Sequence, residues 1–281
     1  MDRTSYTPKI CFAVTALLTL AGVILRTVCM LTVFDNTVGY FDTGILSTLS
    51  TVLYFLGALI PMICAALIPK GTLPTTLHTR LRLPVAYLWG LALAAFTVLS
   101  LIVCFPTRNN ALLTYPTVMG ILGSIYFWLS GHRNGRYPDL LSLAGFLPVL
   151  WCVAAVAETY TDQFTTMNSP IKISLQLGLI GLMVILISEL RFRLGKALPR
   201  AAVALLGIGS YLALCGAVPL LVATGARILD NTLHLLYAIV LLCGGLYGLF
   251  VLFQFTCMTD AATKDSDTAA CPATPESPTA E

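Results

Sequence analysis

The chain has 281 residues, 57% of them hydrophobic and only 10% charged, with a formal net charge of +3 and a mean hydropathy of +0.87. That composition excludes an ordinary soluble globule, and the small basic excess is spread over short turns, which excludes a nucleic-acid surface. It predicts an all-α, polytopic integral membrane bundle whose main partner is the lipid bilayer.

A helix needs roughly 20 apolar residues to cross about 30 Å of hydrocarbon with its backbone hydrogen bonds closed internally. Eight segments meet that need: Ile10–Phe34, Gly44–Ile68, Leu83–Phe105, Ala111–Ser130, Leu140–Tyr160, Pro170–Phe192, Ala201–Thr224 and Asn231–Cys257. None alternates like a barrel strand. The first follows Arg3 and Lys9 as a signal peptide would, yet its apolar run is too long and lacks a small-residue exit before Asp35, so it reads as a retained helix. Asp42-Thr43, Leu83-Pro84, Asn168-Ser169-Pro170 and Asp230-Asn231 stand at helix starts, where capping side chains and first-turn prolines suit the orphan N–H groups. Residues 1–257 form the transmembrane domain. The tail 258–281, rich in Ala, Thr, Asp, Ser and Pro, cannot bury a core and is expected to be disordered in the cytoplasm.

Lys and Arg collect on the cytoplasmic side of membrane proteins. Here they occupy the N-terminus (Arg3, Lys9), the second-to-third turn (Lys70, Arg80, Arg82), the fourth-to-fifth (Arg133, Arg136) and the sixth-to-seventh (Arg191, Arg193, Lys196, Arg200). The alternate turns carry Asp35, Asp42 and Asp162, with Arg108 and Arg227 isolated. Both termini are therefore expected inside a cell membrane, and the economy of the loops favours a bacterial cytoplasmic one. The nine cysteines are scattered singly and none falls in an outer loop, which points to buried thiols and not to a disulfide framework.

Leu18-Thr-Leu-Ala-Gly22 in the first span recurs as Leu141-Ser-Leu-Ala-Gly145 in the fifth. At the same offset Cys29 matches Cys152, Asp35 matches Glu158 and Phe41 matches Phe164, which suggests two parallel four-helix repeats of the kind that frame midplane sites in transporters. Pro61, Pro116, Pro148 and Pro219 lie inside spans, where each removes a backbone donor and bends the helix. Gly207, Gly209 and the Gly244-Gly245-Leu-Tyr-Gly248 run read as close helix packing.

Arg26 is the residue least at ease in hydrocarbon. It lies about 12 Å below the outer end of its span, too deep for easy snorkelling, so it is expected to face inward. Asp35, Glu158 and Asp230 are the candidate counter-charges, joined at the outer side by Lys172, Gln176, Arg227 and His234. Ser47, Ser50, Thr51, Tyr54, Thr114 and Tyr115 add hydroxyls from the second and fourth spans. This constellation predicts an outward-facing polar pocket for a small polar, anionic or zwitterionic solute; the alternative is an ion pair that locks helices together.

Thr37-Val38-Gly39-Tyr40 resembles the filter signature of potassium channels, whose backbone carbonyls replace the hydration shell of the ion. Phe41 stands where the second filter glycine is required, and about nine residues between two spans leave no room for a pore helix. A loop is the simpler reading. Enzyme signatures are missing as well: the chain has no His-Glu-x-x-His, no Gly-x-Gly-Asp and no phosphate-cradling loop, and Ser210 and His234 fall in opposite halves of the bilayer. His78 and His132 read as solvated turn residues, and neither a cofactor nor a metal is implied. Two function classes stay open: a transporter or permease for a small polar solute, and a non-transporting scaffold, sensor or assembly subunit.

Overall fold

A computed structural model describes residues 3–35, 37–69, 71–73, 83–104, 111–131, 139–163, 165–196 and 198–257. Lys70, His78, Arg80, Arg82, Arg108, His132, Arg133, Arg136, Phe164, Cys271 and the tail 258–281 lie outside the described residues.

The chain is an all-α bundle. Helix α1 spans Arg3–Thr32 and is followed by a short hairpin, β1 (Phe34–Asp35) paired antiparallel with β2 (Tyr40–Phe41). Then come α2 (Ile45–Leu67), α3 (Leu83–Leu99, continued by a π-turn over Ser100–Cys104) and α4 (Thr114–Gly131, entered through a 3₁₀ turn at Ala111–Leu113). The fifth apolar segment is broken. Helix α5 (Asp139–Ala144) stops at Gly145-Phe146, and Pro148, which needs no N–H partner at a helix start, lies in the first turn of α6 (Leu147–Thr161). Helices α7 (Pro170–Arg193), α8 (Pro199–Gly225) and α9 (Thr232–Cys257) complete the chain.

Among the described residues seven stretches are long and apolar enough to cross a membrane, Leu140–Thr161 across the α5–α6 break being one of them. Helix α4 packs among them although Tyr115, Pro116 and its hydroxyl residues lower its apolar content.

Local chemistry fixes the boundaries. At the start of α2 the Ser47 hydroxyl accepts from the Gly44 N–H at 3.2 Å and donates to the Asp42 carbonyl at 2.8 Å. Ser169 caps α7, accepting from Lys172 N–H at 3.2 Å, and Asn231 caps α9, its Oδ1 accepting from Leu233 and His234 N–H at 3.2 and 3.3 Å. Helix α8 ends on Arg227, whose φ of 59° lets the Ile228 N–H reach back to the Ala223 carbonyl at 2.9 Å.

Helices α3, α4, α6, α7, α8 and α9 close a ring, each touching the next, and α1 and α2 pack together on the outside of α8. The ring is filled. In one layer Phe96 (α3) lies 5.5 Å from Trp151 (α6) and 4.9 Å from Tyr237 (α9), centroid to centroid. In the other, Trp89 (α3) lies 4.6 Å from Phe127 (α4) and 5.3 Å from Tyr247 (α9). All six side chains are almost fully buried. Such rings carry the largest burial per residue and prefer these offset and edge-on arrangements.

Glycine sets the distance between α7 and α8. A Cβ on Gly181 would stand 2.7 Å from the Gly209 carbonyl oxygen, and one on Gly209 2.5 Å from that of Gly181. The backbones therefore touch directly, the small-residue contact that replaces hydrophobic driving force inside a membrane. Of the two segments that resemble each other in sequence, Gly22 lies mid-helix against Tyr211 and Cys215, whereas Gly145 lies at the α5–α6 break; Cys29 and Cys152 are both fully buried.

Candidate functional site

Three connections meet at the end of the bundle that carries the hairpin. They are the hairpin itself, the α6–α7 segment and the α8–α9 turn, and the Tyr40 hydroxyl ties two of them by donating to the Met167 carbonyl. Between them lies a pocket of about 440 Å³, lined by hairpin residues including Thr37 and by Thr165, Ser169, Asp230, Asn231 and His234. A second cavity of about 470 Å³ at the opposite end, lined by Pro69, Gly71 and Leu73 and by Leu198–Ala201, is almost wholly apolar apart from Arg200.

The wall of the hairpin-end pocket is a hydrogen-bonded set. Thr165 Oγ1 donates to Asp162 Oδ2 at 2.9 Å and lies 3.3 Å from His234 Nε2, which in turn is 3.4 Å from Asp162 Oδ2. Asp162 sits at the C-terminal cap of α6, and Lys172 Nζ, reaching back from the first turn of α7, donates to the Asp162 carbonyl at 2.9 Å. One helical turn below Asp162 stands Glu158, 1% exposed, which accepts from the Tyr237 hydroxyl at 3.1 Å; Tyr237 is one turn below His234. Asp35 lies on the hairpin, where its carboxylate accepts from both the hydroxyl and the N–H of Thr37, the latter at 2.8 Å. Those bonds, the hydroxyl first, hold the Asp35 carboxyl below its ordinary pKa.

Arg26 lies on the neighbouring side of α7. Its guanidinium donates to Ser174 Oγ and to the Pro170 carbonyl at 3.2 Å, and its Cζ stands 4.4 Å from the centre of the Tyr54 ring and 5.8 Å from that of Phe41. Cation–π contacts of this geometry are worth about 2 kcal/mol when desolvated. The residues that hold Arg26 are thus neutral oxygens and aromatic faces.

Of the residues singled out in the sequence, Asp230 and His234 line the pocket and Lys172 braces its wall. Glu158 lies beneath the His234–Asp162 contact, and Asp35 adjoins the pocket through Thr37. Arg26 shares the first turns of α7 with Lys172 and does not line the pocket. Gln176 is half-buried on α7, and Arg227 is exposed at the end of α8. Asp162, Thr165, Ser169, Asn231, Ser174 and Tyr237 complete the set. In the sequence Asp162 was marked by its place in an acidic outer turn, and Ser169 and Asn231 by their places at helix starts.

At the opposite end Glu189 and Arg193, i and i+4 on α7, approach to 3.8 Å, and Glu189 accepts from the Tyr247 hydroxyl. Each aromatic layer of the ring thus includes a tyrosine that donates to a buried glutamate. Among the described residues, no three His, Cys, Asp or Glu side chains gather in a way that would hold a metal ion. No family model, no curated protein and no solved structure matches this chain.

Proposed function

We propose that the chain is an eight-span membrane protein with both termini in the cytoplasm, and that it acts as a permease-like protein for a small polar solute. The solute binds in the hairpin-end pocket, which faces outward in this orientation. The observation that carries the reading is the pocket itself: about 440 Å³ of space whose wall pairs carboxylate, imidazole and hydroxyl groups. Solute sites are concave with a few convergent polar groups, and this volume suits a molecule the size of an amino acid. His234 and Asp230 contact the solute, Asp162 and Thr165 orient the imidazole, and Lys172 fixes Asp162 through its carbonyl. The exposed basic residues Arg191 and Lys196 then lie on the cytoplasmic side.

A test places cysteine at Thr165 in a chain freed of its native cysteines and asks whether an impermeant thiol reagent reacts from outside. Reaction that a screened amino acid or small organic acid suppresses, together with uptake of that compound into proteoliposomes, supports the reading. A thiol at Thr165 that stays unreactive in intact cells sinks it.

The aromatic layers favour a second reading, a non-transporting sensor. Phe96, Trp151 and Tyr237, then Trp89, Phe127 and Tyr247, fill the ring below the pocket. Solute that protects the Thr165 thiol but is not taken up decides for the sensor.

A further inference from the structure

Arg26 is 5% exposed, and among the described residues its guanidinium meets neutral groups: Ser174 Oγ, the Pro170 carbonyl and the faces of Tyr54 and Phe41. A guanidinium offers N–H donors and no acceptor, and it carries a positive charge into the buried site. Holding it in hydrocarbon without a counter-charge is costly, and the first turn of α7 brings the positive end of a helix dipole beside it.

Two further hydroxyl groups lie on α2 beside it. Cys29 Sγ contacts the Leu46 carbonyl at 3.4 Å, which sets the register of α1 against the antiparallel α2. Arg26 lies one turn further into α1 and Ser50 one turn further into α2. Ser50 and Tyr54 stand one turn apart on the buried stripe of α2, each 3% exposed, and the Tyr54 ring lies against the guanidinium. Neither Ser50 Oγ nor the Tyr54 hydroxyl has a hydrogen-bond partner among the described residues. Buried hydroxyls normally find acceptors, because an unmade bond forfeits the hydration each group gave up. A buried cation thus stands at the first turn of α7 with the Tyr54 ring against it, and the buried face of α2 beside it carries two unused O–H donors; the common complement of these groups is negative charge.

We propose that Arg26, Ser50 and Tyr54 bind a small monovalent anion between α1, α2 and the first turn of α7. One cation matches one negative charge, and the ligand class is chloride or a carboxylate of similar size, such as formate. Arg26, Ser50 and Tyr54 are absent from the lining of the hairpin-end pocket, so the anion site stands whether or not that pocket takes a solute.

The test reads the melting temperature of the purified full chain as sodium gluconate is exchanged for sodium chloride or sodium formate at constant ionic strength. A saturable rise with chloride, abolished in Arg26→Gln, is the expected result; a rise with formate alone assigns the same site to a carboxylate. Should Arg26→Gln fail to fold, the double variant Ser50→Ala/Tyr54→Phe keeps the cation and is expected to raise the half-saturating anion concentration about tenfold. No anion-specific rise in the unaltered chain, or an unchanged half-saturation in the double variant, overturns the proposal.

Discussion

Tyr237 donates its hydroxyl hydrogen to Glu158 Oε2 over 3.1 Å and so ties α9 to α6 inside the ring, while ten residues further along α9 Tyr247 donates to Glu189 on α7. Hydrogen bonds to buried carboxylates contribute about 1.5–3 kcal/mol each. Tyr237→Phe and Tyr247→Phe are each expected to cost about that much in reversible unfolding from detergent micelles. The two sites stand about 15 Å apart along the helix, so the double variant should lose close to the sum. A double-variant loss no greater than either single one would mean that the two ends unfold separately.

The α7–α8 contact gives a sharper contrast. Gly209→Ala drives a methyl to within 2.5 Å of the Gly181 carbonyl oxygen and 2.6 Å of Ile185 Cγ1, whereas a Cβ on Gly225, in the last turn of the same helix, meets nothing within 4 Å. The first change is expected to destabilise by about 1–3 kcal/mol or to abolish insertion, and the second to be close to neutral. Thermal unfolding of the two variants side by side reads the difference directly.

The pH response of the hairpin has a definite sign. Thr37 holds the Asp35 carboxyl below its ordinary range, so the stability this contact lends is present in full above that range and is lost as pH falls through the lowered value. Thr37→Val removes the hydroxyl donor and keeps the N–H. The Asp35 titration, followed by carboxyl NMR, should then move upward toward the ordinary value. An unmoved titration would show that the hydroxyl contributes nothing.

Gly39 occupies the turn with a φ of +81°, and a Cβ there would lie 2.6 Å from Thr166 Oγ1. Both features oppose a side chain. Gly39→Ala is expected to loosen the hairpin from the α6–α7 segment, speeding hydrogen exchange at the Gly39 and Asp42 amides, which are bonded to Asp35 and Val33 carbonyls at 2.8 Å. Unaltered exchange at both would contradict this.

Hydropathy made the apolar helices readable in advance, because a helix length of about 30 Å is imposed by the bilayer and not by any partner. The capping residues Ser169 and Asn231 were readable for the same local reason. Side-chain pairing was not. Helices apolar all round carry no stripe to say which face is inward, so nothing in the sequence distinguished Phe96 and Trp89, which fill the ring, from Leu88 and Leu91, which lie exposed on the same helix. Arg26 shows the limit most plainly. Its burial followed from the cost of charge in hydrocarbon, yet the sequence offered carboxylates as partners where the fold supplies a serine, a carbonyl and two ring faces. The break between α5 and α6 lay in plain view as Gly145 and Pro148 within one apolar run, two signals that hydropathy alone averages away.

The glycine contact between α7 and α8 carries a mechanical consequence. Backbones in direct contact leave no compressible layer of side chains through which one helix can slide past the other. Windows of α7, α8 and α9 are 61–67% buried, against 28% for α1 and α2. The three late helices are thus the keel of the molecule: a stimulus at the hairpin end is expected to meet a frame that does not yield.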